Sequence, residues 1–482
     1  MLDVKRVIDI INKLGYNTYT FDYSIYNTYI QVMLDWYKGQ VNTFHTETVY
    51  NGAYEVRVDK SRLNMAKRVC EDLASLVTNE NLSVLVNSPN EKDFLLGYDE
   101  MTGILGQNDF WTQLARIYEL TCALGTGAFE IVAEGLFMFE DKILSNDNSK
   151  LKIVTHNATE IIPLSWDNNL DIKEVAFVDQ YKIKNDKFID LRLHVLVDGI
   201  YHIINKRLRV FDGGSYIFED SSDILTDFDT KSNVPWFSII KLPLINNYCI
   251  ESPMGASVYG NCVDLLKSID NTFDMLTTEI KHGQKKIFYD KRLCERDKQT
   301  GKVIYPDDKN NGGRLVFYYM GDEFNGNADD SNGLIHEFNP ELRIDDITKA
   351  LEGSLNYLSN MCGLGNSYYK FEQGTVQKTA TEVISENSSM YRNIRKNEIA
   401  LEKSLLSLFR SLLYANNMIF GTSFNIDVPI SIQFDQSILE DKGTIRKREL
   451  EEVKLGILDK QYYIKKYYST NRRDAVELKG DA

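Results

Sequence analysis

The chain has 482 residues, of which 43% are hydrophobic and 26% charged, enough apolar material for more than one core and too much for a disordered tail. It carries 55 Lys+Arg against 70 Asp+Glu, a formal charge of -15, which argues against a tight sequence-specific grip on duplex DNA but not against passive contact. Six scattered cysteines with no CxxC pair read as free thiols of a reducing compartment, and the absence of a leader and of any apolar run of about 18 residues reads as a soluble protein without a membrane span.

The first third is helical and then mixed. "LDVKRVIDIINKLG" has helical spacing with a stop at Gly15, and "SIYNTYIQVMLDWYKG" repeats that form up to Gly39. "SRLNMAKRVCEDLASLVTNE" predicts a helix with Leu63, Ala66, Val69, Leu73 and Leu76 on one face. "DFWTQLARIYELTCALGTGAFEIVAEG" predicts a helix that breaks at Gly125 and turns into a strand. Between Leu151 and Ile245 the period shortens to alternating strands: "KIVTHNATEIIPL", "EVAFVDQYKI", "LRLHVLV", "YHIINKRLRV" and "WFSIIKL".

From Cys262 the period lengthens again. Cys262, Leu266, Ile269, Phe273, Leu276 and Ile280 form a heptad seam, so this helix is expected to pack lengthwise on others. Strand-like pieces "KKIFYD", "RLVFYYM" and "LIHEFN" follow, separated by polar loops at Asp307–Gly313 and Gly326–Gly333. Helical spacing resumes at Ile344, Ile347, Leu351, Leu355 and Leu358. A glycine-bounded aromatic loop, "CGLGNSYYKFEQGTVQK", precedes a capping box at Thr379 and Glu382, and then a helix of about 40 residues, about 60 Å long. The chain ends with a strand "ISIQFDQ", an acidic corner at Glu440-Asp441, two short helices "TIRKRELEEVKLGI" and "KQYYIKKYY", and a polar tail.

Catalytic patterns do not emerge. There is no GxxxxGK[ST] loop, since "TGKV" at Thr300 lacks both the upstream glycine and the hydroxyl residue. "GASVYG" (Gly255 to Gly260) is a tight lead into the heptad helix rather than a GxSxG elbow, and "HEFNP" at His336 is a strand end. Asp227 and Asp229 read as a solvated loop, and the six histidines show no ligand spacing. No catalytic residue, metal site or cofactor is expected, and the chain does not read as an enzyme.

Four stretches, "WYKG" (Trp36 to Gly39), "RLNMAKRVCEDLASLVTNE" (Arg62 to Glu80), "GASVYGNCVDLLKSIDNTFD" (Gly255 to Asp274) and "KTATEVISENSSMYRNI" (Lys378 to Ile394), together resemble the portal proteins of tailed double-stranded-DNA phages and prophages of Gram-positive bacteria. The resemblance implies an α+β portal fold: a helical and β wing (1–250), a first stem helix (251–283), a small α/β clip inserted between the stem helices (284–340) and a second stem helix (341–361). A tunnel loop (362–378), a long wing helix (379–420) and a helical crown (421–482) would follow.

It also implies a closed homo-oligomeric ring of about twelve subunits. The ring would sit at one capsid vertex, surrounded by major capsid and scaffolding proteins, after assembly in the host cytoplasm. Double-stranded DNA would pass through it non-specifically during packaging and ejection. The terminase large subunit, and later a head-completion or adaptor protein, would dock on the clip, whose acids Asp307, Asp308, Asp329 and Asp330 suit a protein-facing surface. The alternative is a ring-forming nucleic-acid-processing enzyme, such as a motor subunit.

Carried onto these residues, the resemblance puts Tyr368, Tyr369, Lys370, Phe371 and Glu372 at a loop tip in the channel, with Gly363, Gly365 and Gly374 as flexible boundaries. Lys370 would touch phosphate while the aromatic rings pack between neighbouring loops; the other reading makes the tyrosines filler of the wing–stem junction. Asp264, Asp270, Asp274 and Glu279 are off the seam, and either line the channel or form a solvated helix face.

Overall fold

A computed structural model describes the chain except for residues 1–3, 17–24, 51, 80–81, 99–101, 140–141, 147, 212–214, 220–224, 226, 290–293, 305–316, 320–334, 367, 370–379, 435–449, 452, 455–462 and 464–482. The N-terminal helices form where the apolar spacing predicts them. Val4–Lys13 buries Val7, Ile10 and Ile11, and Gln31–Tyr37 buries Met33 and Trp36. Met65–Val77 buries Ala66, Val69 and Leu73, leaving Leu63 ahead of the helix.

Helix Phe110–Leu124 ends at Gly125, and strand Thr126–Glu134 begins at the next residue. Gly125 has φ +86°, and a Cβ there would stand 2.5 Å from the Gly255 carbonyl; one on Gly255 would stand 2.2 Å from the Gly125 oxygen. Both positions therefore exclude side chains. The stretch read as a tight lead threads this contact: the Gly255 amide donates to Thr126 Oγ1 (2.8 Å), Ser257 to the Tyr29 hydroxyl (2.9 Å) and Val258 to the Cys122 carbonyl (3.0 Å).

Ile172–Ile183, Asp186–Val197 and Ile200–Val210 are longer than the sequence suggests, and the strands of this stretch fall into two antiparallel sheets. One runs Phe237–Lys241, Thr126–Glu134, Lys150–Asn157; the other runs Tyr216–Glu219, Ile200–Val210, Asp186–Val197, Ile172–Ile183, Ile161–Trp166, with Asp227–Asp229 also paired to Ile200–Val210. The single strand read at 152–164 is split between the sheets. A 3-10 turn, Ala158–Glu160, intervenes, capped by Asn157 and Glu160 in a reciprocal capping box. Asp227 and Asp229 therefore lie in a ladder and not in a loop.

Two long helices, Val263–His282 and Ile344–Met361, project from this sheet region and pair with each other. Between them, Lys286–Tyr289 pairs in parallel with Phe317–Tyr319 and antiparallel with Ile335–Phe338, so strands do interrupt the helices as expected. The 41-residue helix Ala380–Phe420 is fastened to the smaller sheet where Ser238 Oγ donates to the Ser404 carbonyl (2.6 Å) and Ser404 Oγ to the Ile239 carbonyl (2.8 Å). Strand Ile430–Gln433 pairs antiparallel with Ser83–Val86, and the Asn425 amide donates to Glu91. The first residues assigned to a helical crown thus complete a sheet with the N-terminal region. The Thr379 cap, the acids Asp307, Asp308, Asp329 and Asp330, the Glu440-Asp441 corner and most of the two terminal helices lie outside the described residues.

Candidate functional site

The helix pair is antiparallel and pinned at both ends. Cys262 caps the start of Val263–His282 and Cys362 caps the end of Ile344–Met361, with Sγ atoms 4.0 Å apart. At the far end Arg343 grips Glu279 (Nη2–Oε2 2.8 Å), and hydrogen bonds from this guanidinium and the Arg343 amide hold the Glu279 carboxyl below its ordinary range. Between these pins the seam is graded. Cys262, Leu266 and Ile269 are buried against Leu351, Leu355 and Leu358; Phe273 and Leu276 are half-buried; Ile280 is 48% exposed. The spacing therefore predicts the face, but one subunit covers only its inner half.

The four acids do not form one line. Asp264 is exposed beside Lys267 (2.9 Å). Asp270 is buried: it pairs with His45 Nε2 (3.0 Å) and accepts from the Leu63 amide (2.9 Å). Asp274 accepts from the Ser61 amide (2.7 Å). Asp270 and Asp274 thus hold the chain around residues 45–63 against the helix, and facing an open channel would cost them those partners. Lys60 adds a fourth tie to Asn271 (3.2 Å). Together these ties root a hairpin, Thr46–Tyr50 with Glu55–Asp59, on the side of the helix.

The segment after Met361 is a closed turn. Gly363 (φ +76°) donates to the Asn360 carbonyl, Leu364 donates to Ser359, and Ser359 Oγ donates to the Gly365 carbonyl (2.7 Å). Asn393 of the long helix donates to the Gly363 carbonyl (3.2 Å), and a Cβ at residue 363 would stand 2.3 Å from Asn393 Nδ2. Gly363 and Gly365, read as flexible boundaries, are turn residues held by hydrogen bonds, and glycine is there because positive φ demands it. Tyr369, which the resemblance puts at a channel tip, donates its hydroxyl to Asp72 Oδ2 (2.9 Å) on helix Met65–Val77, while Arg68 holds the same carboxylate. Burial and the adjacent Asp72 carboxylate push the Tyr369 hydroxyl far above its ordinary range. Tyr368 stands edge-on to it (centroids 5.1 Å) and is 38% exposed. The junction reading applies to Tyr369. Lys370, Phe371, Glu372 and Gly374 lie outside the described residues.

Sequence reasoning missed a buried charge cluster between the two sheets. Glu130 pairs with Arg192 Nε (2.8 Å), His156 Nε2 (2.8 Å) and His194 Nε2 (2.9 Å); Arg192 also reaches Asp179, and His156 Nδ1 faces Asp179 at 3.3 Å as a charge contact rather than an aligned hydrogen bond. Burial alone would raise the Glu130 carboxyl, but the Arg192 charge and the two imidazoles hold it well below its ordinary range. Burial would lower His156, yet the Asp179 and Glu130 carboxylates against its two ring nitrogens lift it to about 9. A guanidinium inside the cluster argues against a cation there, and no metal-ligating group of side chains occurs among the described residues. The partners come from four strands, so no local motif reveals the whole cluster.

A family model described as "Phage portal protein, SPP1 Gp6-like" matches residues 26–479. Curated proteins give no match. Among solved structures, the neck of a native GTA particle computed with C12 symmetry is 9% identical, with 83% of this chain and 88% of that chain covered and a TM-score of 0.39. The neck of an empty GTA particle computed with C6 symmetry is also 9% identical, covering 86% and 89%, with a TM-score of 0.40. The virion of a native gene transfer agent particle gives 9%, 86%, 89% and 0.38.

Proposed function

The chain belongs to the SPP1 Gp6-like phage portal proteins, and from that premise we propose that about twelve copies close into a ring through which double-stranded DNA enters and leaves a phage capsid. The observation that carries the ring is the unfinished helix pair. Tyr357 and Met361, on the outer face of the return helix, are 69% and 62% exposed, and Met275, Ile280 and Leu342 are also uncovered. The rooted hairpin leaves Val49 and Val58 in the open as well. A heterologous, closing ring contact covers unlike faces of this kind by setting each subunit against the next.

The charge supports passive conduction. About twelve copies at -15 give a ring near -180, a field that repels the polyanion it lets through, so that DNA slides without sticking. Asp264 is the exposed acid among the four considered for the channel wall, and Lys370 is the basic residue proposed to touch phosphate. The strands between the paired helices are the proposed docking platform for the terminase large subunit and then for an adaptor protein, with capsid and scaffolding proteins around the sheet region. No helix among the described residues is long and apolar enough to cross a membrane.

Negative-stain images and native mass spectrometry of the purified chain test this reading. Rings with an axial hole are expected, and they should support DNA packaging when terminase is added. Failure to form rings over a range of salt and protein concentration, together with intrinsic ATP hydrolysis, would favour a motor-type enzyme instead.

A further inference from the structure

We propose that Cys262 and Cys362 form a modification site: a thiol pair that a two-electron oxidant joins into an intrachain disulfide, clamping the two long helices where they leave the sheet region. The inference is independent of ring formation. The two cysteines are the capping residues of facing helix ends, both buried, and the Cys362 thiol donates to the Cys262 sulfur across 4.0 Å. A disulfide needs about 2.0 Å, so each sulfur has to move about 1 Å. The ties around the pair hold the helix ends in place: Asn393 holds the turn at Gly363, and the Arg343–Glu279 pair fixes the helices at the other end.

The two thiols also differ in character. The hydrogen bond from Cys362 pulls the Cys262 thiol below its ordinary range, whereas that bond and burial push Cys362 well above. Cys262 is therefore the attacking sulfur and Cys362 the resolving one. Burial pushes both Cys70 and Cys122 upward, which leaves them as inert thiols. With a diazenedicarboxamide as oxidant, the Cys262 sulfur adds to one nitrogen of the N=N bond and its proton goes to the other. The Cys362 sulfur then attacks the Cys262 sulfur, the S–S bond forms as the S–N bond breaks, and the Cys362 proton ends on the departing nitrogen. Both sulfurs are oxidised and the diazene becomes a hydrazine. Because Cys362 immediately precedes Gly363, the bond fixes the turn that carries Tyr368 and Tyr369.

The purified chain is treated with the diazenedicarboxamide, digested without reductant and peptide-mapped. A peptide pair linking Cys262 to Cys362 is expected, together with a thermal midpoint that rises by several degrees and falls back with dithiothreitol, because the bond closes a long loop. Cys262→Ser and Cys362→Ser should lose both the linked pair and the midpoint shift. The wild-type map stands by itself if either variant folds poorly. Absence of the linked pair in native protein, linkage of Cys262 to a different cysteine, or an equal yield from protein unfolded in urea would each overturn the proposal. The map reads the same whether the protein is monomeric or in rings, so failure of the ring leaves this outcome distinguishable.

Discussion

The interior of the sheet region and the far end of the helix pair handle their difficult groups differently. At Glu130 the chain has brought one carboxylate, one guanidinium and two imidazoles into a nearly dry space and paired them with one another. Beyond Phe273 the same chain leaves Met275, Ile280 and Leu342 facing outward. Unpaired charge in a core cannot wait for a partner molecule, because its desolvation has to be offset as the subunit folds. Apolar area on a helix can wait, since exposing it costs only a few kcal/mol per side chain until another surface arrives. The first region is complete in one copy, and the second is the part that neighbours are proposed to finish.

The largest effect should come from breaking the completed region. Glu130→Gln removes the more deeply buried of the two carboxylates that neutralise Arg192 and His156 while keeping the shape, and breaking a buried ion pair in this way costs about 3–5 kcal/mol. Urea unfolding of the subunit should show a loss of that size. A midpoint equal to that of an exposed control such as Glu251→Gln would mean that water reaches the cluster and that the region is less closed than it looks.

The same cluster predicts a dependence on alkaline pH. His156 titrates at about 9 when folded, above its ordinary 6.5, so its stabilisation is fully present below pH 6.5 and disappears as pH rises through 9. The amount at stake is about 3 kcal/mol. Glu130 and Asp179 are held low, so their share is present above about pH 4 and is lost on acidification below that. Unfolding free energy measured from pH 6 to pH 10 should therefore fall, and His156→Gln should remove most of the slope. A flat profile in the unmodified protein would show that His156 is neutral when folded.

The unfinished region should respond in assembly and not in folding. Phe273 is half-buried on the seam, and Phe273→Asp removes about 1.5–3 kcal/mol of apolar burial wherever the side chain is covered. The subunit should stay folded by circular dichroism while rings disappear from native mass spectra, because each contact in a ring repeats the loss. Stable rings carrying this change would remove the helix pair from the intersubunit contact.

What could be read in the sequence divides along the same line. The seam, the stop at Gly125 and the long helix are local patterns, and spacing alone exposes them. The resemblance to portal proteins rested on such local stretches and agrees with the family match. The charge cluster was hidden because strand pairing within one sheet and the packing of one sheet on the other bring Glu130 to residues 26 and 64 positions away. Asp270 was misplaced for a related reason: its partners, His45 and Leu63, are more than 200 residues distant, so a helix-face argument sees only an acid off the seam. The glycines of the loop were visible, but composition does not distinguish a hinge from a turn. Their positive φ and the Asn393 contact decide for the turn.

The smallest effect tests the boundary between the two regions, at Tyr369. Its hydroxyl is tied to Asp72, 297 positions earlier, and the segment proposed to reach the channel begins at the next residue. Motion of that segment relative to helix Met65–Val77 has to start either beyond Tyr369 or by releasing this bond. Tyr369→Phe removes the hydroxyl but keeps the ring, at a cost of about 0.5–1.5 kcal/mol, part of it the lost partner of a buried carboxylate that Arg68 still holds. Rings should persist, the thermal midpoint should drop slightly, and amide exchange should quicken between Gly363 and Tyr369. If packaging by terminase also changes, and more than with Lys370→Ala, the tie to Asp72 governs how the segment moves. If exchange quickens and packaging stays normal, movement begins past Tyr369, and the tyrosine pair acts only as the packed floor of the junction.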